Sequence, residues 1–180
     1  ETGLSAGYLR PADGIITLAD GGGANRGGYR WRGVHYRVMG NSLLAVGSDG
    51  LFATVGTIAG TDWVVFDESF DYLAINGGGL LYLYDGTTLT QVTDPDLGTS
   101  LDMVWINGYF VSTDGAFLIS SDINDPFSYN ILRYASSEIS PDPVVALQKI
   151  RNEIYALNRY TVEVFGAVTN PGEGFPFARI

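Results

Sequence analysis

An acidic stretch in the second half of the chain, STDGAFLISSDINDPFS at residues 112–128, contains side chains that could do chemistry. It places Asp114, Asp122 and Asp125 within twelve residues. Aspartates can act as general acids or bases, and clustered carboxylates can bind Ca²⁺. Aspartate also has a structural role, because it tolerates left-handed backbone and hydrogen-bonds its own turn. The neighbouring sequence has to decide between these interpretations.

The pattern around the three aspartates favours turns. Asp114 precedes Gly115, as other aspartates of the chain precede glycine. The segment 120–127 resembles the Asp-box hairpin, Ser-x-Asp-x-Gly-x-x-aromatic, with Asn124 in the place of the glycine, which a left-handed position permits. A calcium loop needs oxygen ligands at alternate positions, and Ile123 and Pro126 interrupt that pattern. We therefore predict that these aspartates are hairpin corners and peripheral turn residues.

A second acidic pair, Asp94 and Asp96, flanks Pro95. No following Glu completes a calcium motif, so a solvated loop is predicted. Two carboxylates about 5–9.5 Å apart could also hydrolyse a glycoside. The sequence alone leaves that alternative open.

Other catalytic or ligand-binding motifs are weak. His35 is the single histidine and is predicted on a strand, with no Gly-x-Ser-x-Gly elbow to form a hydrolase triad. A zinc site would need acids to supply nearly every other ligand. The glycine runs 21–23 and 77–79 lack the Lys-Ser/Thr pair of a phosphate loop and are predicted to be flexible turns. We predict no catalytic, cofactor-binding or metal-binding residue, and hence no enzyme.

Aromatic residues are abundant, with three Trp, eleven Tyr and nine Phe. Trp31, Trp63 and Trp105 could form a sugar-binding surface. Aromatic side chains also fill the space between packed sheets and are enriched in protein interfaces. We favour core and interface for these residues.

Short strands must position all of these residues. The runs of apolar residues are brief, rich in aromatic and β-branched side chains, and bounded by turn residues. The 24 glycines and the low charged fraction of 17% also favour strands and tight turns. The helix candidate at residues 143–157 is at least as good a strand pair, because Val144, Val145 and Ile150 are β-branched. The chain is predicted to be all-β.

Pairs of turn residues recur in a fixed order along the chain. Asn-Gly and Asp-Gly supply the positive φ angles of two-residue hairpin turns. The pairs are Gly40-Asn41 with Asp49-Gly50, Asn76-Gly77 with Asp85-Gly86, Asn107-Gly108 with Asp114-Gly115, and Arg151-Asn152 with Asn158-Arg159. This order predicts β-propeller-like repeats of antiparallel blades, since propeller blades repeat about every 40–50 residues.

The predicted organisation is an N-terminal arm with loops at residues 1–28 and about four blades at residues 29–180. Propellers close with about four to eight blades. The last residues show no closing strand pattern. We therefore expect an incomplete propeller, either a fragment of a larger β domain or one that closes through another chain.

The formal net charge of −10 is unevenly distributed. Residues 61–130 carry eleven acids and no Lys or Arg. Binding to a duplex needs clustered cations, so tight direct nucleic-acid binding is not expected. No apolar run approaches the roughly 18 residues of a membrane helix, and there is no cysteine for a disulfide or a thiolate metal site.

The sequence resembles the packaged-DNA stabilisation proteins, which are tail hub components of short-tailed bacteriophages. The resemblance is distributed along most of the chain and is densest between Tyr134 and Phe165. It lies in Gly7-Tyr8-Leu9-Arg10, Gly14-Ile15, Arg26-Gly27, Tyr36-Arg37-Val38, Gly108-Tyr109, Ser112, Asp114-Gly115, Ser121 to Asp125, Glu138, Pro141-Asp142, Val144-Val145, Ile154-Tyr155, Thr161, Glu163 and Phe165.

The resemblance implies a structural component of a phage or prophage tail, made in the bacterial cytoplasm and located in the virion. It implies self-association into a ring that extends the DNA channel below the portal and its adaptor. Such a hub docks the tail needle or plug and helps retain the packaged genome. An acidic segment 61–130 facing the channel would not grip passing phosphates. The alternative is a carbohydrate-binding or glycoside-active propeller.

Overall fold

Short β-branched and aromatic runs between Gly, Asn and Asp turns form antiparallel strands throughout the chain. The computed structural model describes residues 14, 16–137, 142–172 and 174–180. Within these residues there are sixteen strands and no helix. They form four sheets of four strands each. The all-β class predicted from the sequence is confirmed.

The four sheets, called blades 1 to 4 here, follow one another along the chain. Blade 1 contains β1 (Asn25–Trp31), β2 (Val34–Met39), β3 (Ser42–Val46) and β4 (Phe52–Thr57). Blade 2 contains β5 (Val65–Glu68), β6 (Leu73–Gly77), β7 (Leu80–Tyr84) and β8 (Leu89–Gln91). Blade 3 contains β9 (Asp102–Ile106), β10 (Tyr109–Thr113), β11 (Phe117–Asp122) and β12 (Asp125–Ser136). Blade 4 contains β13 (Val144–Ile150), β14 (Glu153–Asn158), β15 (Val162–Ala167) and β16 (Phe177–Arg179).

Each blade is a meander in which every strand pairs with the next one along the chain. The first strands of consecutive blades lie against each other, in the order β1, β5, β9 and β13. They begin at residues 25, 65, 102 and 144, so the blades repeat every 37–42 residues. Among the described residues β13 and β1 form no comparable contact. The array is therefore open, as predicted for an incomplete propeller.

Three apolar clusters fill the spaces between consecutive blades. Trp31 and Tyr36 of blade 1 pack on Tyr84 of blade 2, with ring centroids 5.9 and 5.6 Å from the Tyr84 ring. Leu83 and Phe110 belong to the cluster between blades 2 and 3. A third cluster joins blades 3 and 4 and contains Val104, Val111, Leu118, Leu147, Ile154 and Phe165. Burial of each such side chain contributes about 1.5–3 kcal/mol, so the blade interfaces hold the array together.

The predicted turns occur in blades 1, 3 and 4, but they do not bracket the same strand in each blade. The turn pairs bracket the third strand in blade 1, but they bracket the second strand, β10 or β14, in blades 3 and 4. In blade 2 the prediction is wrong by two residues, because Asn76 and Gly77 lie in β6 and the turn is at Gly78 and Gly79, with φ of 63° and 77°. Because three glycines follow Asn76, the turn can form at more than one position. The Asn76 side chain is buried, which keeps Asn76 in the strand and places the turn at the last two glycines.

The segment before blade 1 packs along that blade. The Gly40 N–H donates to the carbonyl of Ala24 at 2.8 Å. The strand β1 begins at Asn25, four residues before the predicted start of the blades. The prediction placed the start later because the Asn-Arg-Gly-Gly sequence has the composition of a turn. Of the residues that carry the family resemblance, Gly7 to Arg10, Ile15, Glu138 and Pro141 lie outside the described residues.

Candidate functional site

Asp114, the first aspartate of the acidic stretch 112–128, closes a hairpin. Asp114 Oδ1 accepts hydrogen bonds from the N–H groups of Ala116 at 2.8 Å and Phe117 at 2.7 Å. Asp85 makes the same pair of bonds, to the N–H groups of Thr87 and Thr88 at 2.7 Å. These bonds hold the pKa of the Asp85 carboxyl below its usual value. Asp114 is a hairpin corner, as predicted.

The other two aspartates of the stretch brace the β11–β12 hairpin. Asp122 forms an ion pair with Arg133 at 2.5 Å and accepts a hydrogen bond from the Ser128 hydroxyl at 2.7 Å. Asp125 Oδ1 accepts the Phe127 N–H at 3.1 Å. Asn124 has a φ of 56°, which is the left-handed conformation predicted for the residue in the glycine position. The stretch builds a blade.

The predicted solvated loop at Asp94 and Asp96 is instead a clamp on the neighbouring blade. Asp94 Oδ2 accepts the Tyr129 N–H at 3.1 Å, and Asp96 Oδ2 accepts the Ile131 N–H at 3.3 Å. Both carboxylates are half-buried. The solvated-loop prediction is therefore wrong, because two N–H groups on the outer edge of β12 need acceptors and these carboxylates supply them.

Two further aspartates, which the sequence analysis did not single out, join consecutive inner strands. Asp67 in β5 accepts the Trp105 N–H of β9 at 2.7 Å, and Asp102 in β9 accepts the Leu147 N–H of β13 at 2.7 Å. Each also accepts the N–H of the next residue along its own strand, at 2.8 and 2.7 Å. Burial raises the pKa of the Asp102 carboxyl. A carboxylate directly next to an apolar run, as in DMVWI for Asp102 and VVFDE for Asp67, is the signal that could have identified them.

Lys149 ties three inner strands together. Its ammonium lies 2.7 and 2.8 Å from the two Asp67 oxygens and 3.0 Å from the Trp105 carbonyl. It also lies 5.8 Å from the centroid of the Trp105 ring. This cation of blade 4 therefore contacts blades 2 and 3, and it neutralises one of the two inner-strand carboxylates.

The connection between blades 1 and 2 is organised by a buried arginine. The Arg26 guanidinium donates to the carbonyls of Asp62 at 2.7 Å, Gly40 at 3.0 Å, Ile58 at 3.2 Å and Ala59 at 2.6 Å. Only 3% of Arg26 is exposed. Four carbonyls of the β2–β3 turn and the β4–β5 connection therefore converge on one side chain.

The residues of the densest part of the family resemblance also make structural contacts. Asp142 Oδ2 accepts hydrogen bonds from the N–H groups of Tyr160 at 2.7 Å and Thr161 at 3.0 Å. Glu163 is buried and pairs with Arg179 at 2.7 Å. Phe165 lies in the core between blades 3 and 4. These residues fix turns and strand packing.

The three tryptophans do not form one surface. Trp31 is buried between blades 1 and 2, in the predicted core role. Trp63 is 78% exposed. Trp105 borders a cavity of about 490 Å³ with Phe70, Lys149 and Arg151, and no carboxylate of the described residues lines it.

The remaining candidates fall into plain structural positions. His35 is exposed on β2, on the face of blade 1 that points away from blade 2. Gly78 and Gly79 form a hairpin turn, and Gly23 packs against Gly40. Within the described ranges, no three His, Asp or Glu side chains form a group that could hold a metal ion. In that same part of the chain, no helix is long and apolar enough to cross a membrane.

The two ends of the blade array present different uncovered faces. On blade 4 the residues that alternate with the core include Leu157, Val162 and Val164, with Ile180 beside Gly166. Val162 is 56% exposed and Ile180 73% exposed. On blade 1 the corresponding face carries cationic residues, Arg30 and Arg37, together with His35. The blade 1 face also holds Leu44 and Val46, and the blade 4 face also holds Gln148 and Glu153, so neither face is wholly basic or wholly apolar.

Comparisons with known proteins agree with this architecture. No curated protein sequence matches the chain. The computationally designed Ika4 protein is similar in fold, with a TM-score of 0.59 and 13% identity over 86% of this chain and 98% of that one. BamB from Moraxella catarrhalis has a TM-score of 0.55 and 16% identity, over 76% of this chain and 40% of that one.

The match that identifies the family is between this sequence and a protein-family model. The family Phage_stabilise, described as bacteriophage P22 Gp10, β-propeller, matches residues 1–180. The matched region includes the inner-strand aspartates, the Arg26 connection and the turns described above. Because the match spans the whole sequence, the chain belongs to the Phage_stabilise family of bacteriophage P22 Gp10 β-propellers.

Proposed function

We propose that this chain is part of a ring-forming tail hub that extends the DNA channel below the portal and adaptor. In this role it docks the tail needle or plug, helps retain the packaged genome and performs no catalysis. The proposal builds on what family membership establishes. The chain is a phage structural protein of the virion, and the predicted resemblance to packaged-DNA stabilisation proteins is confirmed.

The observation that bears on assembly is the apolar face of blade 4, which needs a further sheet to cover it, either a later blade of the same protein or a neighbouring subunit. The faces between consecutive blades are buried in the three apolar clusters, apart from the peripheral gap between blades 2 and 3. The outer face of blade 4 keeps Leu157, Val162 and Ile180 in solvent. Apolar sheet faces of this kind pack on a second sheet, and closed symmetric assembly is the ordinary way in which such contacts are completed.

The acidic segment 61–130 belongs to the same proposal. Its exposed carboxylates, on Asp62, Asp71, Asp85, Asp114 and Asp125, give this part of the chain a negative surface that does not attract a phosphate backbone. We expect part of this surface to border the channel. Cryo-electron microscopy of an assembled ring with all of these carboxylates on its outside would contradict that placement.

The test of the hub is microscopy of the purified protein, alone and mixed with the portal and adaptor proteins of the same phage. We expect closed rings in negative stain, and their loss when Leu157 and Val162 are both replaced by Glu. Ile123→Glu, at an exposed turn on blade 3, is the control that should still assemble. A chain that stays monomeric in both preparations, or that is absent from purified virions, would overturn the proposal.

The carbohydrate alternative receives less support from the site geometry. It required a central acidic pocket with exposed aromatic residues, whereas the cavity beside Trp105 is lined by Lys149 and Arg151. A glycan array separates the two functions, because the hub needs no glycan affinity. Saturable binding to one glycan class would favour the alternative.

A further inference from the structure

A groove opens at the periphery between blades 2 and 3 because their outer strands differ in length. The last strand of blade 2, β8, has three residues, whereas the last strand of blade 3, β12, has twelve. Blade 2 is therefore too short at its outer edge to cover the face of blade 3 that points toward it. The connection 92–101 passes beside the gap without filling it, and a cavity of about 480 Å³ remains.

The floor of this peripheral groove is apolar. It is formed by Pro95, Leu97, Phe117, Ile119, Ile131 and Tyr134. Phe117 and Tyr134 meet edge to face with ring centroids 5.4 Å apart. Ile131 remains 60% exposed and Tyr134 52% exposed. Contiguous apolar surface of this kind marks interaction sites, because its exposure to water is unfavourable.

Two carboxylates stand at the rim of the groove, and no Lys or Arg of the described residues lines it. Asp96 Oδ2 accepts the Ile131 N–H, and Asp114 Oδ1 accepts two N–H groups of its own turn. These bonds orient the two carboxylates at the rim. Arg133, the cation of β12, pairs with Asp122. The rim therefore favours a cationic ligand.

The groove is held in shape before any ligand arrives. Asp94 and Asp96 fasten the loop to the main chain of β12 at Tyr129 and Ile131. Pro95 between them restricts the backbone further. Preorganised sites of this kind pay less conformational entropy on binding.

We propose that the peripheral groove binds a segment of a partner protein that presents an apolar side chain flanked by Lys or Arg. The apolar side chain covers the Phe117–Tyr134 floor, and the cations lie against Asp96 and Asp114. A nucleic acid fits poorly, because the rim repels phosphate. This inference depends only on the groove and holds whether or not the chain forms a tail ring.

The test uses a synthetic array of hexapeptides, in which a central pair drawn from Leu, Ile, Phe and Trp is flanked by Lys, Gln or Glu. Binding to the intact chain is measured by fluorescence polarisation and mapped by amide chemical shifts. We expect Lys-flanked peptides to bind and to shift the amides of Phe117 and Ile131. Glu-flanked peptides with the same central pair should not bind.

Variants separate the charge from the floor. Asp96→Asn with Asp114→Asn keeps an oxygen that accepts the local N–H bonds but removes both charges, and should weaken binding about fivefold and abolish its salt dependence. Ile131→Ser should abolish binding, whereas Ile123→Ser, at a residue of similar exposure outside the groove, should leave it unchanged.

Three outcomes would overturn the proposal. One is that no peptide of the array binds at millimolar concentration. Another is that affinity follows apolar content whatever the flanking charge. The third is that the shifted amides lie away from the groove. None of these results bears on the proposed ring, because ring assembly is measured by microscopy and not by peptide binding.

Discussion

The connection between blades 1 and 2 and the two junctions after it are secured by side chains of opposite charge. At the first, the Arg26 guanidinium donates to four main-chain carbonyls. At the next two, the carboxylates of Asp67 and Asp102 each accept a main-chain N–H from the following inner strand. All three side chains are buried.

This difference shows what a repeating fold requires of its sequence. The exposed edge of an inner strand, or of a connection, leaves main-chain groups without partners, and a buried group without a partner costs about 1–3 kcal/mol. Carbonyls need a donor and N–H groups need an acceptor. Each junction therefore needs a side chain that hydrogen-bonds its unpaired main-chain groups. Arg26 supplies the donor at one junction, and Asp67 and Asp102 supply the acceptors at the other two.

The largest effect should come from Arg26→Met, which removes the donor for all four carbonyls. We expect a loss of about 4 kcal/mol in the free energy of unfolding, since several buried acceptors lose charged hydrogen bonds together. Urea denaturation measures it, and Arg30→Met, on an exposed residue of the same strand, is the control. Equal stability of the two variants would show that the carbonyls at this connection are hydrated.

A smaller loss should follow Asp102→Ala, which leaves the N–H groups of Met103 and Leu147 without their acceptor. We expect a decrease of about 2–3 kcal/mol in the free energy of unfolding. Relief of the buried charge offsets part of the cost, which is why the effect is below that of Arg26→Met. Hydrogen exchange of the Leu147 amide checks the site, and unchanged protection there would contradict the assignment.

The carboxylate junction should also respond to pH, in a direction set by burial. Burial raises the pKa of Asp102, so the folded chain holds this proton more tightly than the unfolded chain. Its contribution is full below the ordinary pKa of an aspartate and is lost as the pH rises through the raised value. The stability of the wild type relative to Asp102→Asn should therefore fall as pH rises from about 4 toward neutral. Urea titrations of both proteins at several pH values measure this, and a rise would contradict the sign.

The smallest effect should come from Tyr129→Phe in the core between blades 2 and 3. The Tyr129 hydroxyl is buried, and no described residue gives it a hydrogen bond. Burial accordingly raises the pKa of this phenol. Removing the hydroxyl should leave stability unchanged or slightly increased, by less than about 1 kcal/mol. A clear loss of stability would mean that the hydroxyl has a hydrogen-bond partner in solution.

The sequence predicted well where the interactions are local. Asp114 bonds N–H groups two and three residues ahead, and Asn124 adopts its left-handed φ within a single turn. The β-branched residues of 143–157 also made a strand pair at least as good a prediction as a helix, and this segment forms β13 and β14. Propensity and turn chemistry act over a few residues, so these features are visible in the residues themselves.

Two predictions failed for the same reason, which is that a partner distant in sequence was not visible in the local pattern. Asn76 was predicted to turn, but its side chain is buried and hydrogen-bonds Ser100. Asp94 and Asp96 were predicted to be solvated, but they bond to β12, 35 residues further along the chain. In each case a distant partner changed the environment of a polar residue whose local pattern allowed both outcomes.

By itself, the sequence determined the all-β class, the approximate blade repeat, the hairpin corners and the family resemblance. Tertiary structure alone decided which polar residues join the blades. The partners of Arg26, Asp67 and Asp102 that lie in other strands and connections are main-chain groups 14 to 45 residues away. Such partners are brought together only when blades stack, because the unpaired groups belong to strand edges and connections that do not exist before packing.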